Sequence, residues 1–137
     1  MQNNKPHSYS LNKIGVIHSC FKEKFATPRQ PGLVTAALAQ IELVEPFNQI
    51  DAVDGLEEFS HIWLSFIFHQ TADQGWKPKV RPPRLGGNKK RGVFATRSTF
   101  RPNPLGLSLV KLESIDTRNG VILNVSGADL IDQTPIV

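Results

Sequence analysis

Short apolar runs, separated by glycine and proline, dominate the sequence. The clearest alternation covers residues 38–44, where Ala39, Ile41 and Leu43 are apolar and the residues between them are mostly polar. Residues 11–18 contain a second, shorter apolar run. Alternation of this kind predicts a β-strand with one buried face, and we assign strands to both segments.

The middle of the chain carries a run that is apolar at most positions. Residues 59–68 are rich in aromatic and β-branched side chains around Trp63, which predicts a central strand that is buried on both faces. A short strand is predicted at residues 92–97. One short helix is predicted between Asn48 and Glu57.

The last third of the chain predicts a β-hairpin. Residues 105–115 and 121–125 are both strand-like, and Asn119-Gly120 lies between them. An Asn-Gly pair readily adopts the positive φ angles that a tight hairpin turn requires. These two strands are therefore expected to pair.

Glycine and proline, ten of each, leave no room for a long amphipathic helix. Many short strands joined by such loops predict an all-β, mostly antiparallel domain that closes into a barrel or sandwich. The 137 residues fit one domain. Residues 1–10 are expected to form a flexible lead-in and residues 11–137 the domain. The loop at 69–91 is long enough to indicate a functional role.

Positive charge is concentrated in one part of the chain. The net charge is +4, but no acid lies between Asp73 and Glu113, and that segment contains ten of the sixteen Lys and Arg residues. Such clustering is typical of proteins that bind RNA, although a solvated loop without a ligand also shows it. The candidate RNA-binding residues are Lys77, Lys79, Arg81, Arg84, Lys89, Lys90 and Arg91.

Several classes of protein are disfavoured by what the sequence lacks. No stretch approaches the roughly 18 apolar residues of a membrane span, and the polar N-terminus has no signal-peptide core. The single cysteine, Cys20, fits a reducing compartment, so we expect a cytoplasmic protein. The four histidines lack zinc-like spacing, and no metal is expected. Glycine motifs for dinucleotides or phosphates are missing as well.

Four polar loops at the ends of predicted strands carry the candidate chemistry. Residues 97–108 hold two arginines around a hydroxyl pair, followed by an asparagine between two prolines. That is more donors on stiff backbone than folding requires. The other three loops are residues 27–31, His69-Gln70 and residues 129–135. Each of these three loops also has a purely structural explanation. The first can be a surface turn, the second a histidine at the edge of the core, and the third a pair of acids that caps a turn.

These loops resemble the TsaA/TrmO family, in particular its gammaproteobacterial members. The resemblance runs from about Ile14 to the last residue, and the arginine-proline-asparagine-proline motif is its most specific part. The motifs that carry it are Pro28-Arg29-Gln30, residues 81–88, residues 92–98, residues 101–108 and Asp129-Leu130-Ile131-Asp132.

The resemblance implies a small β-barrel enzyme that uses S-adenosylmethionine to methylate tRNA. The target is N6 of N6-threonylcarbamoyladenosine at position 37, next to the anticodon of threonine-type tRNAs. A homodimer with the cofactor near its subunit interface is also implied. Family members usually continue past Thr134-Pro135 with a C-terminal region, which we expect this chain to lack. The implied cofactor-binding residues are Pro28, Arg29, Gln30, His69, Gln70, Arg97, Leu107, Asp129, Leu130, Ile131 and Asp132.

The implied reaction suggests roles for the charged residues. Arg29 and Arg97 are expected to hold the cofactor carboxylate or the threonyl carboxylate of the substrate. Asp129 or Asp132 is expected to hold the cofactor ammonium or ribose. The catalytic residue stays unassigned among Arg97, His69 and Asp132. A non-catalytic RNA-binding β-domain explains the basic segment equally well, and a dimeric scaffold with a basic face explains less; neither explains the rigid polar loops.

Overall fold

The computed structural model describes residues 7–20, 38–82 and 89–137. Within these residues, eight strands and three short 3-10 turns are present, and no helix has the length and apolar character to cross a membrane. The strands are β1 (Gly15–His18), β2 (Leu38–Leu43), β3 (His61–Ile67), β4 (Lys79–Val80), β5 (Arg91–Gly92), β6 (Leu105–Asp116), β7 (Ile122–Ser126) and β8 (Pro135–Ile136). The 3-10 turns are Ile50–Val53, Leu56–Glu58 and Val93–Ala95.

Six of the strands form a closed antiparallel barrel in the order β1-β2-β7-β6-β3-β8. The short strand β8 closes it, because Ile136 lies opposite both Gly15 of β1 and Phe66 of β3. Strands β4 and β5 form a separate two-stranded ribbon. The predicted all-β, mostly antiparallel barrel with long loops is therefore confirmed.

The interior of the barrel is filled by one face of each long strand. In β2 the predicted alternation is present, with Ala39 and Ile41 buried between exposed polar neighbours. Ile17, Val110 and Val125, from three other strands, are at most 1% exposed. Full burial of a side chain of this size stabilises the fold by about 1.5–3 kcal/mol, so this shared interior is the main source of stability.

The predicted hairpin is confirmed. Strands β6 and β7 pair antiparallel, with a register shift between Leu112 and Ser114. Of the predicted Asn119-Gly120 pair, only Gly120 has a positive φ, of 85°, a conformation that glycine adopts at little cost, and the loop between the strands spans residues 117–121. This hairpin supplies two of the six strands of the barrel.

Strand β3 corrects the prediction of a strand that is buried on both faces. Leu64 and Phe66 are 4% and 2% exposed, whereas Trp63 is 66% exposed. The barrel wall is a single layer, so only one face of β3 reaches the interior and the other meets solvent. The aromatic content of this segment was a misleading signal for two-sided burial.

Residues 92–97 do not form the predicted strand, because β5 ends at Gly92 and a 3-10 turn follows. Val93 is 2% exposed, and its carbonyl accepts the backbone N–H of Thr96 at 3.2 Å. Burying Val93 turns the chain inward and ends the ribbon. The single helix predicted between Asn48 and Glu57 is likewise two 3-10 turns, separated by a glycine with positive φ.

Gly106 of β6 faces the barrel interior between two phenylalanine rings. A Cβ atom at this position would lie 2.8 Å from Phe68 Cζ and closer still to the ring of Phe66. The two rings pack edge to face with centroids 5.3 Å apart, and Phe66 is only 2% exposed. The glycine in the motif of residues 101–108 is therefore required by packing.

The barrel has two ends of opposite charge. Strand β3 ends and strand β6 begins at the same end, because Ile67 pairs with Leu105. We call residues 69–82 and 89–104, which lie between these strands, the basic end; they contain eight Lys and Arg residues and one acid. We call residues 44–60, which join β2 to β3 at the other end, the acidic end; they contain five acids and no Lys or Arg.

Candidate cofactor and RNA site

Three of the four predicted polar loops lie at the basic end. His69 and Gln70 follow β3 directly, and the loop of residues 97–104 leads into β6. The backbone N–H of Phe68 bonds to the carbonyl of Pro104 at 2.8 Å, so the two loops start from adjacent points. The segment 129–132 reaches the same end through the pairing of Asp129 with Arg97.

Arg97 and Asp129 form the centre of the candidate site. Arg97 Nη1 lies 3.8 Å from Asp129 Oδ2, and Arg97 Nη2 donates to the carbonyl of Leu107 at 3.4 Å. The hydroxyl of Ser108, which is 1% exposed, donates to Asp129 Oδ1 at 3.2 Å. The Arg97 side chain is 45% exposed and that of Asp129 is 7% exposed. The buried carboxylate thus orients a guanidinium that remains accessible to a ligand.

Burial raises the pKa of Asp129 above its ordinary value. Arg97 and the Ser108 hydroxyl act in the opposite direction but do not cancel the loss of solvation. A buried carboxylate with this balance gains from any further positive charge brought near it. A cationic group on a ligand at this point would therefore be favoured.

Asp132 links the segment 129–132 to the end of β1. Its Oδ1 accepts the backbone N–H of Ser19 at 2.8 Å, and the Ser19 hydroxyl donates to the carbonyl of Leu130 at 2.7 Å. The next residue, Gln133, has a φ of 72°, and its backbone N–H bonds to the carbonyl of Ile17 at 2.8 Å. These contacts fix the loop against the barrel.

The predicted cofactor residues Leu130 and Ile131 sit differently from the acids beside them. Leu130 is 4% exposed and belongs to the hydrophobic core, so any contact that it makes with a ligand involves its backbone. The carbonyl of Ile131 accepts both the N–H and the hydroxyl of Thr134. The carboxylates of Asp129 and Asp132 are the parts of this segment best suited to a ligand.

Leu107 lies on the outer face of the barrel. It is 56% exposed, and Trp63 and Leu109, which pair across β3 and β6, are 66% and 41% exposed. We call these three residues the outer stripe. Because Arg97 binds the carbonyl of Leu107, the stripe begins next to the charged centre of the site.

His69 is half-buried and Gln70 is exposed. Within the described residues, neither side chain hydrogen-bonds to Arg97 or Asp129. The structure therefore brings both to the basic end without joining them to the charged pair, and their cofactor role stays a prediction.

Two of the predicted RNA-binding residues, Lys79 and Arg91, lie in the ribbon of β4 and β5, and the other described ones lie beside it. The ribbon is tied to the neighbouring loop by a hydrogen bond from the backbone N–H of Lys77 to the carbonyl of Phe100, at 3.0 Å. Lys77 Nζ also lies 4.3 Å from the centroid of the Phe100 ring. The other basic side chains that are described are exposed or half-buried: Lys79, Arg81, Lys89, Lys90 and Arg91.

Some predicted residues lie outside the described part of the chain. Residues 21–37 and 83–88 are not described, so Pro28, Arg29, Gln30 and Arg84 stay predictions. Conversely, sequence reasoning assigned no specific role to Phe94, which is 73% exposed. The segment around Phe94 has a strand-like sequence, which does not indicate that the Phe94 side chain is exposed.

The side chains present fit an amino-acid group such as that of S-adenosylmethionine. An accessible guanidinium can bind a carboxylate, and nearby carboxylates can bind an ammonium or a ribose diol. Among the described residues, no cluster of His, Cys, Asp or Glu is suited to a metal ion. Two buried hydroxyls, those of Thr71 and Thr99, have no hydrogen-bond partner among the described residues. Thr71 follows His69-Gln70, and Thr99 lies in the loop of residues 97–104.

Relatives of this chain share its sequence over most of its length. The tRNA (adenine(37)-N6)-methyltransferase of Escherichia coli K12 is 60% identical over 131 residues, which is 95% of this chain and 56% of the relative. A Methanothermobacter thermautotrophicus protein named probable S-adenosyl-L-methionine-binding protein is 38% identical over 127 residues, covering 93% of this chain and 85% of that protein.

Solved structures and the family profile agree. The crystal structure of TrmO from Pseudomonas aeruginosa matches with a TM-score of 0.76 at 46% identity, covering 95% of this chain and 53% of that one. The chain thus spans about half the length of the E. coli and P. aeruginosa proteins. The profile described as tRNA-methyltransferase O N-terminal domain matches residues 16–137. The predicted resemblance is confirmed: the chain belongs to the tRNA-methyltransferase O family, through its N-terminal domain.

Proposed function

We propose that this protein transfers a methyl group from S-adenosylmethionine to N6 of N6-threonylcarbamoyladenosine at position 37 of tRNA. The observation that carries the proposal is the Arg97–Asp129 pair at the basic end, together with the exposed Lys and Arg residues in and beside the ribbon. The E. coli relative named tRNA (adenine(37)-N6)-methyltransferase supports the same reaction. Its tRNA substrate implies a cytoplasmic location.

Arg97 and the two acids are proposed to hold the amino-acid group of the cofactor. When bound, S-adenosylmethionine supplies an electrophilic methyl group, so the main task of the protein is to align N6 with it. Arg97 is oriented by Asp129, and its side chain is 45% exposed, so its guanidinium can bind a carboxylate. Asp132 or Asp129 would then lie near the ammonium. The threonyl carboxylate of the substrate is the alternative partner of Arg97.

Removal of the N6 proton is a separate requirement. The carbonyl of the threonylcarbamoyl group makes the N6 proton more acidic, so a modest base suffices. His69 and Asp132 are the candidates for that base. Asp129 is better described as a positioning residue, because Ser108 and Arg97 occupy its two carboxylate oxygens.

The ribbon is proposed to bind phosphates of the anticodon stem. Lys and Arg contacts of this kind depend strongly on salt and carry little sequence information. The target base lies in a loop, where a protein can take it out of its stack without melting a duplex. The ribbon would thereby place the loop over the Arg97–Asp129 pair.

The outer stripe is proposed to form a homodimer contact with a second copy of this chain. Trp63, Leu107 and Leu109 are exposed apolar side chains on adjacent strands, and Leu107 connects the stripe to the candidate cofactor site. Trp63→Lys should give a monomer in analytical ultracentrifugation where the native protein gives a dimer. A monomeric native protein would contradict this part of the proposal.

The reaction is tested by incubating the protein with S-adenosylmethionine and with tRNA that either carries or lacks the threonylcarbamoyl group. Mass spectrometry of the digested nucleosides should show one added methyl group, and only on the modified adenosine. Binding of tRNA without methylation, together with no binding of S-adenosylmethionine, would instead support the non-catalytic RNA-binding domain.

A further inference from the structure

A surface cavity of about 310 Å³ lies at the basic end. The function proposed above assigns no ligand to it. It is lined by Phe94, Arg101, Pro102, Asn103 and Leu105. We propose that it binds one unpaired nucleobase of the RNA substrate, stacked on the Phe94 ring and hydrogen-bonded along its edge by Asn103. This inference rests on the proposed function and adds a second base-binding position to it.

The Phe94 ring is unusually open to solvent. It is 73% exposed, more than the 63% of Phe59 at the acidic end. An exposed aromatic ring surrounded by basic residues is the usual platform on which single-stranded nucleic acids stack their bases. Phe59 has no such surroundings, because Glu57 and Glu58 precede it. Among the described residues, Phe94 and Trp76 are the exposed aromatic side chains at the basic end, and Phe94 is the one that lines the cavity.

The backbone that carries Phe94 is held firmly in place. The backbone N–H of Val93 bonds to the carbonyl of Pro78 at 2.9 Å. Arg101 Nη1 donates to the carbonyl of Thr96 at 2.8 Å and to that of Val93 at 3.4 Å. The Arg101 guanidinium lies 5.8 Å from the centroid of the Phe94 ring, within the range of a cation–π contact. The ring is thus pre-oriented, which lowers the entropic cost of stacking.

Asn103 offers a hydrogen-bonding edge on the same cavity. It is exposed, and its side-chain amide makes no hydrogen bond to the described residues. Pro102 and Pro104 restrict the backbone on both sides of it. An amide has both donors and an acceptor, which match the mixed edge of a base. Stacking at Phe94 and an amide edge at Asn103 are the two contacts that a splayed base requires.

The cavity is close enough to the candidate cofactor site to serve a neighbouring nucleotide. Leu105 lines the cavity and lies on the same face of β6 as Leu107. Two residues along a strand span about 7 Å, and the Leu107 carbonyl binds Arg97. A base in this cavity would therefore anchor the RNA beside the adenosine to be methylated.

The test measures binding of RNA hairpins with the anticodon stem-loop sequence, each with an abasic site at one loop nucleotide. Phe94→Ala should weaken binding of the intact hairpin by roughly 5- to 100-fold, and Phe94→Trp should restore it. One abasic hairpin should bind the native protein more weakly by a similar factor and show no further loss with Phe94→Ala. Asn103→Ala should reduce discrimination among bases at that position only.

Two controls separate this inference from others. Phe59→Ala should bind every hairpin like the native protein, and Phe94→Ala should keep the thermal shift caused by S-adenosylmethionine. Equal binding by Phe94→Ala and the native protein, or an equal loss on every abasic hairpin, would overturn the base cavity alone. Loss of the cofactor shift in Phe94→Ala would assign the cavity to the cofactor instead. If the native protein bound no hairpin, both the proposed function and this inference would be wrong.

Discussion

The basic and acidic ends of the barrel differ in charge and in how that charge is held. Residues 44–60 at the acidic end contain five acids and no Lys or Arg, whereas the basic end has eight Lys and Arg residues and one acid. The net charge of +4 therefore conceals a strongly polarised molecule. Such a field turns a polyanion toward one end before contact is made.

Two Arg–Asp pairs are present among the described residues, one beside the basic end and one beside the hairpin turn, and they have different consequences. Arg118 lies 2.9 Å from Asp116 beside the hairpin turn, where its side chain is 89% exposed. Solvent screens such a pair, so it contributes little to stability. Arg97 and Asp129 are farther apart, at 3.8 Å, but the Asp129 side chain is 7% exposed. Although its atoms are farther apart, the Arg97–Asp129 pair is the one that orients a functional group. For this role, the burial of the carboxylate matters more than the distance between the charged atoms.

The largest expected effect comes from removing Arg97. Arg97→Ala should reduce methyl transfer by about 100-fold or more, as loss of a charged group that orients reactants does. The matched change in the exposed pair beside the hairpin turn, Arg118→Ala, should leave the rate unchanged. Initial rates of methyl transfer measure both, with circular dichroism to show that each variant is folded. Normal turnover in Arg97→Ala would exclude its proposed role.

Packing beneath the candidate site provides the next prediction. Gly106→Ala should lower the free energy of unfolding by about 1–3 kcal/mol, because the new methyl group overlaps the rings of Phe66 and Phe68. Gly92→Ala is the control, since no atom of the described residues, apart from its two chain neighbours, lies within 4 Å of its Cβ position; its effect should stay within about 0.5 kcal/mol. Urea unfolding measures both, and equal stabilities would show that the rings move aside.

Removing charges at each end distinguishes the effect of specific phosphate contacts on tRNA binding from the effect of net charge. Replacing Lys89, Lys90 and Arg91 by Gln should weaken tRNA binding and reduce the slope of log K against log salt by about 2 to 3, since each phosphate contact contributes about 0.7 in a single strand and about 0.9 in a duplex. Replacing Asp51, Asp54 and Glu57 by their amides should change the slope little. An unchanged slope in the basic variant would exclude the ribbon as the phosphate contact.

The smallest expected effects are opposite pH dependences of the two acids. Burial raises the folded-state pKa of Asp129. The contribution of Asp129 to the free energy of unfolding is therefore fully present below its unfolded-state pKa and is lost as pH rises through its folded-state pKa. Arg118 lowers the pKa of Asp116 to about 2, so its contribution is present above the unfolded pKa and is lost as pH falls toward about 2.

Replacing each of the two acids by its amide tests these opposite pH dependences of stability. Relative to the native protein, Asp129→Asn should gain stability as pH rises above about 4, because it removes the cost of a buried charge. Asp116→Asn should show the reverse, with its disadvantage shrinking as pH falls below about 4. Urea unfolding at a series of pH values measures both. Parallel pH profiles of the two variants would contradict the assignment of burial and pairing.

Local patterns made part of the fold predictable from the sequence. The hairpin of β6 and β7 follows from alternation and an Asn-Gly turn, both of which act over a few residues. The exposure of Trp63 does not follow, because it depends on barrel closure by β8, more than seventy residues away. Closure determines which face of β3 is interior.

The candidate site was predictable as a set of loops but not as a geometry. The motif around Arg97 and the acids near residue 130 could be recognised, and the family followed from them. Their contact spans 32 positions in the chain and is set by the barrel topology. Phe94 was missed because the turn that exposes it depends on the burial of Val93.

The central claim is that the Arg97–Asp129 pair at the basic end binds S-adenosylmethionine. Thermal unfolding with and without the cofactor tests it most directly, since a ligand of the folded state raises stability by about 2.7 kcal/mol at one hundred times its Kd. The cofactor should raise the Tm of the native protein and of Arg118→Ala, and should not raise that of Arg97→Ala. An equal rise in Arg97→Ala, or none in the native protein, would contradict it.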